Sequence, residues 1–352
     1  MKGNLKILSI GGFSGYGESN TCLHRTWALE ELGEVDRIDT ASKPYTIYLR
    51  VINRLFHKGF NVRFPDFLSV NEKIITQVNT KKYDFIWIDK GLFINNSTLQ
   101  KIKLINPKVI IIGYSPDDMS QRHNQSLNFI ESLPHYDYYI TTKSYIVEKL
   151  KRMGVKKVFF TDNAYEDKFH FPRILNDVEK EKLGGDVGFI GVWEEERANS
   201  ILYLAKNGVK VRVWGGGKWI DYKNKFANLQ IEDKGLFSED YSKALSAFKI
   251  SLCFLRKMNF DLQTTRTMEI PACGGFMLAE RTTEHLNLFE EGKEAEFFST
   301  DEELLQKCKQ YLDDNEKRNK VVLAGIQRCR DSGYSNKKRI KSILNVILAE
   351  LA

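Results

Sequence analysis

Five cysteines (22, 253, 273, 308 and 329) are scattered through 352 residues, odd in number and without a C-x-x-C pair. That pattern excludes a disulfide framework and reads as reduced, mostly packed thiols of a cytoplasmic protein. The six histidines show no ligand spacing, so no metal site is expected. Long apolar runs are missing too: stretches such as 109–112 are far too short to cross a bilayer. The opening MKGNLKILSIGG lacks an extended apolar core and reads as a first β-strand, not a signal peptide. Internal repeats and low-complexity tracts are absent. What is present, 42% hydrophobic and 28% charged residues, is the balance of a globular protein, and the length suits two domains. A net charge of +7 favours anionic partners in general; nucleic acid is not expected among them.

Apolar strands alternate with helical patterns throughout, which predicts parallel sheets covered on both faces. In the first half, strands are expected at 5–10, 35–38, 85–88, 109–112, 138–140 and 158–160, with helices at 21–32 and 145–153 and others in the gaps. The alternation breaks at 163–172, NAYEDKFHFP. A second series follows: strands at 187–190, 209–214, 250–254 and 276–279, a helix at 239–248, and helices at 301–312, 317–329 and 336–351.

The stretch DLQTTRTMEIPACGG, residues 261–275, carries the most chemistry. Its carboxylates Asp261 and Glu269 are eight positions apart, and Thr264-Thr265-Arg266 between them opens a helix that the Gly274-Gly275 pair ends. A helix N-terminus offers free N–H groups and a partial positive charge, which suit phosphate. Arg266 adds a forked guanidinium. Glu269, one turn further in, is placed to accept hydrogen bonds from a ribose diol. The set points to a nucleotide diphosphate, with Thr265 at the helix head.

Other segments leave alternatives open. GGFSGYGESN, residues 11–20, is either a flexible β–α turn or a loop that approaches a ligand; it lacks the third glycine of the dinucleotide fingerprint, position 20 being Asn. Asp39 keeps a nicotinamide reading open. VWGGGKW, residues 213–219, fails as a P-loop because Trp219 stands where Ser or Thr would hold Mg²⁺. In GFIGVWEEER, residues 188–197, Gly191 ends a strand and three glutamates start a helix; they suit its dipole but repel a diphosphate, and Arg197 is the one basic residue there. Arg256 and Lys257, just after a strand, are either ligand-facing or a solvated pair. SPDDM, residues 115–119, is a turn and helix cap, or else Asp117 or Asp118 orients a hydroxyl or acts as a base. Residues 41–65 hold five basic residues and no acid, with Tyr45, Tyr48, Ile52, Leu55 and Phe56 at helical spacing and Arg50, Arg54 and Lys58 on another flank. They form either a core-packed helix or an amphipathic one touching anionic lipid. His24 and His170 are either structural or ligand-facing.

Four ordered motifs, GFIGVWEEER, SEDYSKALSAFKISL, RTMEIPACGGFMLAE and EEGKEAEFFSTDEELLQKCKQYL, resemble glycosyltransferases of the GT-B fold, most nearly the CgeB-like (spore maturation) and group 1 glycosyltransferases. The resemblance runs from about 188 to 341. It implies two Rossmann-like lobes facing a cleft, with an acceptor-side lobe over 1–165, a nucleotide-sugar lobe over 166–335, and a helix at 336–352 crossing back to the first lobe. NAYEDKFHFP resembles the hinge phrase between such lobes. The function implied is transfer of a sugar, with retention, from a nucleotide diphosphate to a hydroxyl of a glycan, protein or lipid-linked acceptor, as in building cell-surface glycans. No metal and no cofactor beyond the donor substrate are implied. Residue by residue, Glu269 would hold the ribose, Arg266 with Arg256 and Lys257 the diphosphate, and Lys234-Gly235-Leu236-Phe237 would lie on the base. Gly191, Arg197 and Gly215 would line the strand ends, Asp261 would face the sugar, and Asp117 or Asp118 would serve catalysis. Asp261 departs from the family's usual first Glu, as does the lack of a basic pair near Gly191. An epimerase on the same fold and a non-catalytic nucleotide- or sugar-binding surface-assembly protein are the alternatives. The site expected is cytoplasmic, at the inner face of the membrane if 41–65 makes peripheral contact there.

Overall fold

The computed structural model describes residues 5–15, 17–41 and 47–351. The chain divides into two compact units, one comprising Met1–Gly15, Asn20–Asp162 and Ile340–Ala352, the other Tyr16–Ser19 and Asn163–Arg339. The unit changes at Asp162/Asn163 and again at Arg339/Ile340.

In the first unit, β1 (Leu5–Gly11), β2 (Gly33–Asp39), β3 (Phe85–Asp89), β4 (Ile110–Ser115), β5 (Tyr138–Thr141) and β6 (Val158–Phe160) form a sheet ordered β2-β1-β3-β4-β5-β6. Every pairing is parallel, Ile7 lying opposite Val35 on one side and Phe85 on the other. Its helices are α1 (Thr21–Glu30), α2 (Ile47–His57), α3 (Val70–Thr80), α4 (Asn96–Ile105), α5 (Leu127–Ser132) and α6 (Val147–Arg152). The inner strands are apolar on both faces because both are covered, whereas the edge strand β2, GEVDRID, is largely polar. Leu8, Ile86, Ile88 and Ile111 meet Ile74, Leu99 and Leu150 of the helices on one face. Their neighbours Ile7, Phe85, Trp87 and Ile112 meet Ala28, Leu29, Ile340, Leu344 and Ile347 on the other. The last three belong to the C-terminal helix, whose i, i+4, i+7 apolar spacing fills that second face. Each such side chain, fully buried, contributes about 1.5–3 kcal/mol. Near the chain end Glu350 accepts hydrogen bonds from Tyr138 (2.9 Å) and Lys157 (2.6 Å).

The second unit contains α7 (Asp177–Leu183), β7 (Gly185–Ile190), α8 (Glu195–Lys206), β8 (Val211–Trp214), β9 (Leu229–Ile231), α9 (Glu239–Ala247), β10 (Phe248–Cys253), α10 (Thr265–Ala272), β11 (Met277–Glu280), α11 (Thr283–Leu288), β12 (Glu296–Phe298), α12 (Asp301–Asp313) and α13 (Asn315–Asp331), with α14 (Asn336–Leu351) leading out of it. Its sheet runs β12-β11-β10-β7-β8-β9, again wholly parallel. Strands β9 and β12 have three residues each, too few to show a period, and were not anticipated. The five cysteines form no disulfide, and all but Cys22 are buried.

Candidate functional site

In an open α/β sheet, ligands gather beyond the carboxyl ends of the two strands where the order reverses. In the second unit these are β7 and β10. The loop after β7 begins at Gly191; the loop after β10 carries Arg256, Lys257 and Asp261 and leads into α10.

Arg197 braces these two loops. Its guanidinium is buried and donates to the carbonyl of Val192 (3.1 Å) and to that of Leu255 (2.9 Å). Both terminal nitrogens are thus engaged by backbone, an arrangement the sequence pattern did not reveal. Burial lowers its pKa, and the positive charges of Arg266 and Arg256 push the same way, against Glu194 and Glu280. Three guanidiniums therefore feel one another at the reversal point. Arg256, largely exposed, lies 3.4 Å from Glu194, and Lys257 pairs with Glu280, which also accepts the Leu255 amide at 2.8 Å. Lys257, Glu280, Glu194 and Arg197 line a cavity of about 300 Å³ with Ser299 and Thr300 at the start of α12.

Arg266, in the first turn of α10, has no hydrogen-bond or ion-pair partner among the described residues, and its Nε is fully buried. Burial opposes its charge, but the pull of Tyr241, Glu269 and Cys253 outweighs this and raises its pKa. The α10 N-terminus is held by a relay. The Thr264 amide donates to Thr267 Oγ1 (3.1 Å), which lies 2.9 Å from His285 Nε2. His285 Nδ1 is 2.6 Å from the Glu280 carbonyl and must donate to it, so Nε2 accepts the Thr267 hydroxyl. Burial drives the His285 pKa down to about 4 and keeps the ring neutral. At the other end, Gly275 N–H bonds to Ile270 O and Gly274 N–H to Pro271 O, both at 2.9 Å. Gly274 has φ +74°, so this is the glycine-dependent stop that the Gly-Gly pair predicted.

Glu269, one turn into α10, is 4% exposed. Its Oε2 accepts the Tyr241 hydroxyl at 2.5 Å, and burial, then Glu269 itself, raises the tyrosine pKa so that it stays a donor. Oε1 lies 3.7 Å from His170 Nε2. The Glu166 amide donates to His170 Nδ1 (3.0 Å), which puts the ring proton on Nε2, facing the carboxylate. Burial, then Arg173, pushes His170 down to about 3, so the pair is not an ion pair at neutral pH. A carboxylate offers about four lone-pair positions, and one hydroxyl leaves room for further donors.

The remaining candidates of this unit fall on loops nearby. A Cβ on Gly215 would run into Gly191 O and the Trp219 ring, whose Nε1 donates to Gly191 O at 3.0 Å; close packing accounts for both glycines. The loop before α9 exposes Lys234, Gly235 and Phe237 and buries Leu236, with Lys234 Nζ 5.6 Å from the Trp214 ring centre. Thr265 and Asp261 are half-buried, and the Asp261 amide is bonded to the Arg256 carbonyl (3.2 Å).

In the first unit the order reverses between β1 and β3. Asn20, where a third glycine would stand, caps α1 by accepting from the Cys22 and Leu23 amides, and its Nδ2 donates to Gly12 O. Asp39 accepts from the Phe13 and Ala41 amides and the Ser14 hydroxyl, so its carboxylate ties the loop down. Tyr16 of this loop lies outside the described residues. Past β4, Asp117 pairs with Lys90 at 2.5 Å. Asp118 is fully buried; its Oδ1 accepts from Ser120 N and Oγ, and its Oδ2 has no partner among the described residues. Such an orphan oxygen is costly unless something donates to it. His24 is buried inside α1. In 41–65, α2 buries Leu49 and Phe56 and leaves Tyr48 and Leu55 exposed; Ile52 is half-buried and Tyr45 lies outside the described residues. Among the described residues no group of three His, Cys, Asp or Glu could hold a metal ion, and no helix is long and apolar enough to cross a membrane.

Residues 197–345 match the family model described as glycosyl transferase-like. This covers α8 through most of α14, including Arg256, Arg266 and Glu269. No curated protein matches the chain. Among solved structures, Anabaena HepE in complex with UDP and glucose aligns at a TM-score of 0.62 and 10% identity, covering 98% of this chain and 100% of that one. Sucrose-phosphate synthase from Thermosynechococcus elongatus gives 0.63 and 12% over 99% and 100%. A Listeria monocytogenes protein assigned as a UDP-N-acetylglucosamine 2-epimerase gives 0.58 and 14% over 99% and 97%. The chain thus has the two-unit α/β fold of GT-B glycosyltransferases, and residues 197–345 are similar to a glycosyl transferase-like domain.

Proposed function

We propose that this protein transfers a sugar from a nucleotide diphosphate donor to a hydroxyl acceptor. The observation that carries this is Arg266, half-buried with a buried Nε and no hydrogen-bond or ion-pair partner among the described residues, at the N-terminus of α10, within electrostatic reach of Arg197 and three residues before Glu269. A buried guanidinium N–H is costly unless an acceptor meets it. A diphosphate does so, taking the α10 amides and Arg266 together. Arg256 and Lys257 join it by exchanging Glu194 and Glu280 for phosphate oxygens, while Arg197 acts by bracing the loops. Glu269, kept in place by Tyr241, holds the ribose, and the 234–237 loop lies on the base. Asp261 faces the donor sugar. Stabilising charge on the departing diphosphate supplies most of the rate acceleration, with these basic groups and no metal ion doing so. Asp118, with its free Oδ2, and Asp117 are the first unit's candidates for orienting a sugar hydroxyl or accepting a proton. Retention of configuration and the CgeB-like assignment rest on the motif resemblance.

A thermal-shift panel of nucleoside diphosphates and their sugars tests this, beginning with UDP and UDP-glucose. Ligand at 100 times its dissociation constant adds about 2.7 kcal/mol of stability. The stabilising donor is then incubated with and without acceptor in excess chelator. Transfer or donor hydrolysis supports the reading. Interconversion of donors without transfer makes the protein an epimerase, binding without turnover makes it a binding protein, and no stabilisation by any nucleotide ends the proposal.

A further inference from the structure

We infer that the exposed face of α2, extended by Phe60 and Phe67, is a docking surface for an anionic lipid bilayer. At about 100° per residue, Ile47, Val51, Leu55 and Tyr48 fall in a sector of about 100°, while the buried Leu49 and Phe56 point the opposite way. The helix is therefore anchored on one side, where Arg122 donates to the Phe56 carbonyl (2.6 Å) and its guanidinium covers the Phe56 ring. Its apolar stripe is left in water: Ile47 is 78% exposed, Tyr48 56% and Val51 46%. The fold enlarges the stripe at both ends. Gly59, at φ +102°, closes the helix by a turn in which Phe60 N–H bonds to Leu55 O (3.1 Å), the motif that sets these two side chains together. Phe67, 53% exposed, packs edge-on against Tyr48 with ring centres 5.9 Å apart.

Charge names the occupant. Arg50 and Arg54 flank the stripe on the remaining sector and Lys58 follows it; all are exposed and none has an ion-pair partner among the described residues. No acid occurs from 41 to 65. Exposed aliphatic and aromatic groups beside unneutralised cations are what an interfacial helix presents to anionic headgroups and the acyl boundary. A two-fold contact with a second copy would instead set these cations against their own equivalents. The inference does not depend on the sugar-transfer reading.

Flotation with phosphatidylcholine vesicles, with and without phosphatidylglycerol, tests it on the full chain. Wild type should float with the anionic vesicles, less so as salt rises. Arg50→Gln/Arg54→Gln should bind about 30-fold more weakly, Arg50→Lys/Arg54→Lys should be near wild type, and Val51→Ser/Leu55→Ser should lose binding at unchanged charge. All of these positions are exposed, and matched thermal melts confirm folding. Failure of wild type to float at low salt, equal binding to neutral vesicles, or concentration-dependent dimerisation lost in Val51→Ser/Leu55→Ser without vesicle binding would each overturn it.

Discussion

Tyr241, on α9, donates its hydroxyl to Glu269 Oε2, on α10, across 2.5 Å between two buried side chains. This bond fixes the carboxylate rotamer in a place where water cannot. Removing the donor leaves a buried oxygen unsatisfied at a cost of about 1–3 kcal/mol. Tyr241→Phe should therefore lower unfolding stability by that amount in urea titrations and weaken nucleoside diphosphate binding less than Glu269→Ala does. Unchanged stability would mean that the hydroxyl is not Glu269's partner in solution.

Glu269 and Asp261 should separate binding from turnover. The ribose is the same in donor and product, so Glu269 contributes uniform binding. Glu269→Ala should weaken free diphosphate and intact donor alike by about 1.5–3 kcal/mol. Asp261→Ala should spare diphosphate affinity and lower kcat. Calorimetry beside steady-state kinetics checks this; the reverse pattern would show the segment read in the wrong register.

Arg266 should discriminate by phosphate. With no hydrogen bond or ion pair to lose, Arg266→Met should leave stability near wild type, the lost attraction to Glu269 being offset by removal of a buried Nε without an acceptor. Nucleoside diphosphate should bind about 10- to 100-fold more weakly, while the bare nucleoside, measured by competition, is unaffected. Equal loss for both would place Arg266 away from the diphosphate.

Acid should destabilise the second unit through its neutral histidines. His170 and His285 titrate near 3 and 4 when folded, burial being the main cause in each, against about 6.5 unfolded. Between pH 6.5 and 4 the unfolded chain binds protons that the folded one refuses. Stability is complete above 6.5 and falls on acidification by about 1.4 kcal/mol per pH unit for each histidine. Urea melts from pH 7 to 4.5 should show a shallower slope for His285→Asn than for wild type, whatever the offset between them. Coincident slopes would mean that His285 is protonated in the native state.

Much of this could be read along the chain because the information was local. The alternation of strand and helix patterns marked ten of the twelve strands among the described residues, most of them apolar runs because an inner strand is buried on both faces. The helix N-terminus at Thr265, the glycine stop at Gly274 and the position of Glu269 follow from propensities within fifteen residues. The spacing of α14 showed an amphipathic helix. What sequence could not supply was whatever depends on partners far along the chain. Arg197 was legible as a basic residue near the strand end but not as a brace, because Leu255, which presents its carbonyl, is 58 residues away. Tyr241, His170 and His285 were invisible as supports of α10, since a lone aromatic or histidine carries no periodic signal. The helix at 47–57 was legible as amphipathic, but which part of its apolar face would be buried was not: Phe56 and Leu49 found the core, and Ile47, Tyr48, Val51 and Leu55 did not. Local pattern determines that an element forms and which faces are apolar; only the packing of distant segments decides which charges are paired, which are left over, and which apolar face still meets water.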